Sequence, residues 1–246
     1  MKPSISMRVV DWWVPDTQEN FYENVFIQLL SRKYDVRYSE NPDFLLYGPF
    51  GYAHLRYDCV RIFFTGENVR ADWRVADYSI DFDHIDFGDR HLRLPLDFLP
   101  SAHLQTLCEH SRTRALQAFA PKREKFCAFM ARHSDKYTWM RERFFEILSQ
   151  YKQVDSGGQW NNNIGGVVGD RGDEGDYRIS KRKWLEGYKF NICFENASYP
   201  GYLTEKLFDA YACGCIPIYW GDPTLRCGQE NMSKTYKGGG HSRECA

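Results

Sequence analysis

The sequence predicts an α/β fold, and three observations carry that expectation. Short apolar runs alternate with longer amphipathic segments, the pattern of parallel strands joined by helices. Residues 189–220 hold a complete strand–helix–strand unit. The 246 residues, 43% apolar and with a formal charge of −1, can bury the core that such a layered fold needs.

Residues 7–13 (MRVVDWW) read as the first strand. In ENFYENVFIQLLSRKY (19–34), Phe21, Val25, Phe26, Leu29 and Leu30 recur at helical spacing, so one amphipathic helix is expected. Strands follow at 34–38 and 43–47, the second ended by Gly48-Pro49. The run CVRIFF stops at Thr65-Gly66, which puts Glu67 just beyond a strand's carboxyl end. Residues 76–82 and 92–96 are further extended candidates. Residues 100–119 are expected to be helical until Pro121 interrupts them. The pattern restarts there, so a boundary near 121 divides a first domain, 1–120, from a second, 121–246. KFCAFM (125–130) is strand-like and residues 137–151 form an amphipathic helix. The Gly-, Asn- and Asp-rich stretch 156–176 is a loop; its RGD at 171–173 is a turn, and its acidic spacing does not match a calcium loop.

The near-neutral charge gives no broad field for nucleic acid, so no such partner is expected. The start lacks the run of about 7–15 apolar residues of a secretory signal. No stretch approaches the roughly 18 apolar residues of a transmembrane span. A cytoplasmic location is therefore expected, with peripheral membrane contact left open. Eight cysteines scattered among strands and helices fit reduced, buried thiols, and Cys213-Gly-Cys215 has no second pair for zinc, so no metal site is expected. The aromatic share is high, 16%. Most of it belongs in the core, but the polar tips of Tyr and Trp also suit stacking against sugar rings or bases.

The chemistry concentrates in "KFNICFENASYPGYLTEKLFDAYACGCIPIYWG". KFNICF and IPIYW have the density of buried parallel strands. Leu207, Phe208, Tyr211 and Ala212 mark the inner face of a helix that Thr204 can cap and Gly214 can end. The loop after the first strand then opens at the sheet's carboxyl edge, where open α/β folds bind ligands. The helix start offers N–H groups to a diphosphate, Lys206 adds a charge, Glu205 could accept from ribose hydroxyls and Tyr202 could stack or hydrogen-bond. Alternatively, Glu205 and Lys206 are a solvated helix start, and Glu67 a turn carboxylate bonded to Asn68 or Arg70.

The same stretch, with F-E-N followed by Y-L-T-E-K and P-I-Y-W-G, resembles the donor-binding motif of the α1,3/1,4-fucosyltransferases, glycosyltransferase family 10. RIFFTGENVRADW and ADYSIDFD resemble a second family segment, and the similarity runs from about residue 7 to about 222. The resemblance implies a GT-B architecture: two Rossmann-like domains facing a cleft, acceptor mainly on the first and GDP-fucose on the second. It implies inverting transfer of L-fucose from GDP-β-L-fucose to a GlcNAc hydroxyl of a glycan, α1,3 before α1,4. Glu67 matches the family's general base, and Asn196, Tyr202, Glu205 and Lys206 match positions that hold the donor. Mg²⁺ or Mn²⁺ is compatible with the motifs but not demanded by them; DFD at 81–83 has D-x-D spacing but lies in the acceptor half, and Asp81, Asp83 and Asp86 read as structural or acceptor-side groups.

Two departures bear on function. Relatives often carry an arginine after the Gly pair, whereas Gly157-Gly158-Gln159-Trp160-Asn161-Asn162-Asn163 has no basic residue, leaving Arg171, Arg178 or backbone N–H groups to meet the diphosphate. Residues 223–246 show no strand or helix period, so the second domain is expected to be incomplete at its C-terminus, with an irregular tail. The alternatives are an inactive truncated remnant that at most binds GDP or glycan, or a glycosyltransferase using another nucleotide sugar.

Overall fold

The computed structural model describes residues 2–99, 123–134, 138–169 and 177–225. Among the described residues, ten parallel strands form two sheets. The first contains β1 (Ser4–Val10), β2 (Asp35–Tyr38), β3 (Phe44–Tyr47), β4 (Val60–Phe64), β5 (Tyr78–Asp81) and β6 (His91–Arg93), in the order β2-β1-β3-β4-β5-β6. The second contains β7 (Lys125–Phe129), β8 (Val154–Ser156), β9 (Tyr188–Phe194) and β10 (Ile216–Trp220), in the order β10-β9-β7-β8.

Strand burial follows from this layering. Parallel strands covered on both faces need apolar residues at successive positions. Accordingly Met7, Val9, Leu46 and Phe64 pack on one face of the first sheet, and Val10, Leu45, Tyr47 and Phe63 on the other. In the second, Cys127, Phe129, Ile192 and Phe194 oppose Ala128, Cys193 and Tyr188. IPIYW differs from expectation: β10 is an edge strand and Ile216 is 50% exposed.

The expected helix over 19–34 is instead two, α1 (Gln18–Glu23) and α2 (Val25–Leu30). Asn24 breaks them with an extended ψ of 131°, and its Oδ1 accepts from the Phe26 N–H at 2.9 Å. A side chain that caps its own successor competes with continuing the turn. The other α-helices among the described residues are α3 (Trp139–Tyr151), α4 (Tyr177–Leu185) and α5 (Glu205–Ala212). The stretch 100–119, the boundary near 121 and the tail beyond 225 lie outside the described residues. Among the described residues no helix is long and apolar enough to cross a membrane.

Each sheet has one point where the chain order reverses, between β1 and β3 in the first and between β7 and β9 in the second. Connections leave such neighbours in opposite directions, so a crevice opens at their carboxyl ends. The sheets meet through the segments after β5 and before α5. Phe82 packs edge-on to Tyr199 and Tyr202, with centroids 5.8 and 5.1 Å away, and Phe98 meets Phe208 at 5.9 Å. Gly201 sits in this seam at φ +82°, where a Cβ would lie 2.3 Å from the Phe82 carbonyl oxygen; only glycine fits both demands.

Candidate functional site

The crevice of the second sheet is built on Glu195, the first residue past β9. Its N–H donates to the Trp220 carbonyl at 2.8 Å, and its side chain is fully buried. Oε1 accepts from the Thr204 N–H at 2.8 Å; Oε2 accepts from the Thr204 hydroxyl at 2.7 Å and from Lys206 Nζ at 3.0 Å. This corrects the expected role of Thr204. It occupies the N-cap position, but its side chain makes no cap hydrogen bond to α5 and is turned to Glu195 instead. A buried carboxylate with two neutral donors and an ammonium gains more from that hydroxyl than the helix end would.

Alternating charges extend from there. Lys206 lies 3.9 Å from Glu205, while Lys181 of α4 lies 4.0 Å from Glu205 and 2.6 Å from buried Asp209. Burial works against the Glu205 carboxylate, yet Lys206 and Lys181 hold its pKa down to about 2. Burial likewise opposes the Lys206 ammonium, and Glu205 and Glu195 outweigh it, so its pKa is raised. Both groups are charged at neutral pH. Asn196, next along the chain, accepts from Arg141 Nη1 at 2.7 Å, and Arg141 also donates to the His133 carbonyl. Together Arg141, Lys181, Asn196, Glu205 and Lys206 line a cavity of about 350 Å³ with Ala131, His133 and Gln159.

Three of the five sequence-predicted site residues thus meet around one crevice, Asn196, Glu205 and Lys206; Glu67, on the turn after β4, is not among its lining residues but lies within electrostatic reach of Lys206 and Glu205. The Glu67 N–H and carbonyl both bond the Thr65 hydroxyl, at 2.9 and 3.0 Å, which fixes the turn after β4. Burial raises the Glu67 pKa; a hydrogen bond from Trp13 and the charge of Lys206 oppose the rise without cancelling it. Arg70 is not its partner, because that guanidinium pairs with Asp83 at 2.6 Å and lies 5.3 Å over the Tyr199 ring. The fifth residue departs from expectation. Tyr202 is 1% exposed and packs on Phe82 in the seam, so its ring is a contact between the sheets and not a face open to a ligand. The DFD aspartates are structural: Asp81 accepts from the Asp83 N–H at 2.8 Å and lies 2.9 Å from His91 Nε2. Among the described residues no group of three His, Cys, Asp or Glu side chains could hold a metal ion.

Two site residues, Arg141 and Lys181, escaped the sequence reading, and Glu195, which the F-E-N motif contains, was given no role by it. Arg141 stands four residues before Phe145 and seven before Leu148, on the stripe of α3 that packs inward, and it is 6% exposed. A charge on an apolar stripe was its signal. Lys181 gave none, because its partner Asp209 is distant in sequence. Arg171 and the side chain of Arg178, expected as substitutes for the missing loop arginine, lie outside the described residues; Arg141 and Lys181 bring positive charge to the cavity instead.

Two parallel sheets, each with a reversal of strand order and the second with Lys206 of the α5 start lining its crevice, define a GT-B architecture. Residues 7–99 match the alpha-(1,3)-fucosyltransferase FucT N-terminal domain, and residues 120–232 match the glycosyltransferase family 10 (fucosyltransferase) C-terminal family. The chain belongs to this fucosyltransferase family. It is 30% identical over 257 residues to alpha-(1,3)-fucosyltransferase FucT of Helicobacter pylori, covering 91% of this chain and 52% of that protein. GDP-fucose protein O-fucosyltransferase 3 of Danio rerio is 30% identical over 155 residues, 58% of this chain and 32% of that one. A crystal structure of an alpha1,3-fucosyltransferase with GDP-fucose superposes with a TM-score of 0.70 at 28% identity, over 91% of this chain and 70% of the other. The chain therefore spans about half the length of the Helicobacter relative.

Proposed function

We propose that this chain transfers L-fucose from GDP-β-L-fucose to a GlcNAc hydroxyl of a glycan, forming an α1,3 linkage with inversion at the sugar. The observation that carries the reading is that Glu67, a half-buried carboxylate of the first sheet, lies within electrostatic reach of Lys206 at the start of α5, which lines the cavity of the second. An acceptor hydroxyl attacks well only if its proton is taken as the bond forms, a service worth roughly 10²–10⁴-fold. Glu67 is the base: burial raises its affinity for a proton, while the indole of Trp13 orients it. Lys206, Arg141 and Lys181 meet the diphosphate, whose charge grows as the sugar departs, and their attraction rises with it. Glu205 and Asn196 hold the nucleotide sugar. One base on one side and fixed cations on the other suffice for a single displacement, which inverts the reacting carbon and needs no covalent enzyme intermediate. The place of action is the cytosol. Buried free thiols support that setting: burial pushes Cys213 up to about 12 and Cys215 up to about 11.

Incubation with GDP-fucose and N-acetyllactosamine, followed by mass measurement, should show one added deoxyhexose. Addition only with a different sugar nucleotide would overturn the donor assignment; linkage analysis of the product tests the α1,3 bond.

A further inference from the structure

The crevice at the β7–β9 reversal takes the donor in the reading above, but the first sheet has a reversal of its own, between β1 and β3. The residues leaving those two strands carry exposed rings: Trp13 after β1 is 37% exposed, and Phe50 and Tyr52 after β3 are 49% and 82% exposed. We propose that Trp13 and Phe50, flanked by Tyr52, form a stacking platform for an uncharged pyranose ring of the acceptor oligosaccharide, the ring next to the one whose hydroxyl faces Glu67. The nature of the ligand rests on the proposed function; the platform itself is read from geometry.

The platform is rigid. Trp12 stacks on buried Phe64 at 5.3 Å and makes a base on which Trp13 stands edge-on, at 5.0 Å from Trp12 and 5.9 Å from Phe64. Phe50 leans against Trp13 at 5.2 Å. Asp11, at φ 54°, fixes the turn that carries Phe50 and Tyr52: its carbonyl accepts from Phe50 N–H at 3.2 Å, and its carboxylate from the N–H groups of Ala53 and His54 at 3.0 Å each. The same carboxylate lies 2.7 Å from His54 Nδ1, so its acceptor oxygens are occupied within the turn.

The occupant follows from chemistry and continuity. Trp13 is both a platform ring and a hydrogen-bond partner of Glu67, so the aromatic cluster adjoins the proposed base. A pyranose presents an apolar C–H face to such rings and keeps its hydroxyl rim for water. Asp11 and Glu67, the carboxylates bonded to this turn and to Trp13, offer no attraction to an anionic ligand. Rigid aromatic faces also lose little entropy on binding.

The test is titration of the whole chain with N-acetyllactosamine, followed by saturation-transfer NMR and tryptophan emission, with GDP binding measured separately by calorimetry. Saturation should concentrate on the C–H protons of one ring face. Phe50→Ala and Tyr52→Ala should each weaken the glycan about tenfold at unchanged GDP affinity, and Phe50→Tyr should retain binding. Unaltered glycan affinity in both alanine variants overturns the platform, as does wild-type protein that ignores the glycan at millimolar concentration. Self-association that Phe50→Ala abolishes would overturn it in favour of a second copy of the chain. Failure of the donor reading looks different: the glycan still stacks while GDP does not bind.

Discussion

Replacing Glu195 with glutamine keeps its shape and removes only its charge and half its acceptor capacity. In the native site both carboxylate oxygens are buried and receive the Thr204 N–H, the Thr204 hydroxyl and Lys206. The amide oxygen can still serve the Thr204 N–H, but the NH₂ then confronts Lys206, which has donors and no acceptor. Two charge-assisted bonds are lost, at about 1.5–3 kcal/mol each, or roughly 3–6 kcal/mol together. The Lys206 side chain is 21% exposed, so water recovers part of its share. The lower half of the range, about 3–4 kcal/mol, is expected. At roughly 2–4 °C per kcal/mol for a chain of this size, the melting temperature should fall by about 10 °C. Urea unfolding followed by circular dichroism measures the free energy, and calorimetry the midpoint. A loss below about 1 kcal/mol would refute the assignment of Glu195 as the anchor of the helix start.

Glu67→Gln should lower kcat by about 10²–10⁴-fold while GDP affinity is retained. The base must be ionised to act and its pKa is raised above the usual 4.5, so wild-type activity should fall as pH drops through a value higher than that, a limb the variant lacks. A variant with full turnover, or an unchanged acid limb, removes Glu67 from the mechanism. Arg141→Ala should weaken GDP about 10–100-fold by calorimetry, the equivalent of one charged hydrogen bond, with Arg141→Lys intermediate; equal affinities would show that this guanidinium only braces Asn196. Gly201→Ala should cost at least about 2 kcal/mol, because positive φ and the Phe82 oxygen both oppose it, whereas Gly165→Ala, at the same φ of 82° but in open space, should cost about 1 kcal/mol. Similar thermal shifts in the two would mean that the seam yields to a methyl group.

The parts of the fold that follow from local pattern were legible. Buried parallel strands announce themselves as apolar runs, and the reading placed β7, β9 and β10 within a residue or two of their observed bounds. The helix start at 205 was legible from its apolar spacing, although Thr204, read as its cap, turns its side chain to Glu195. What periodicity conceals is competition between a side chain and the helix, as at Asn24, where the apolar stripe continues across a break. It also conceals contacts made across the fold. Arg141 meets Asn196 from 55 residues away. Tyr202 looks like a ligand residue beside its neighbours in the chain, and only the partner from the other sheet, Phe82, shows that its ring is spent on packing.

The seam through Phe82, Tyr199 and Tyr202 has a consequence for engineering. Arg70 is three residues from Glu67 on one loop, and it is held at once by Asp83 of its own sheet and by the Tyr199 ring of the other. The loop that carries Glu67 is therefore tied to both halves of the chain. Chimeras that exchange the donor half between relatives should take residues 66–84 and 199–202 from one parent; a crossover placed between the sheets alone would join two sound halves with the reacting groups out of alignment.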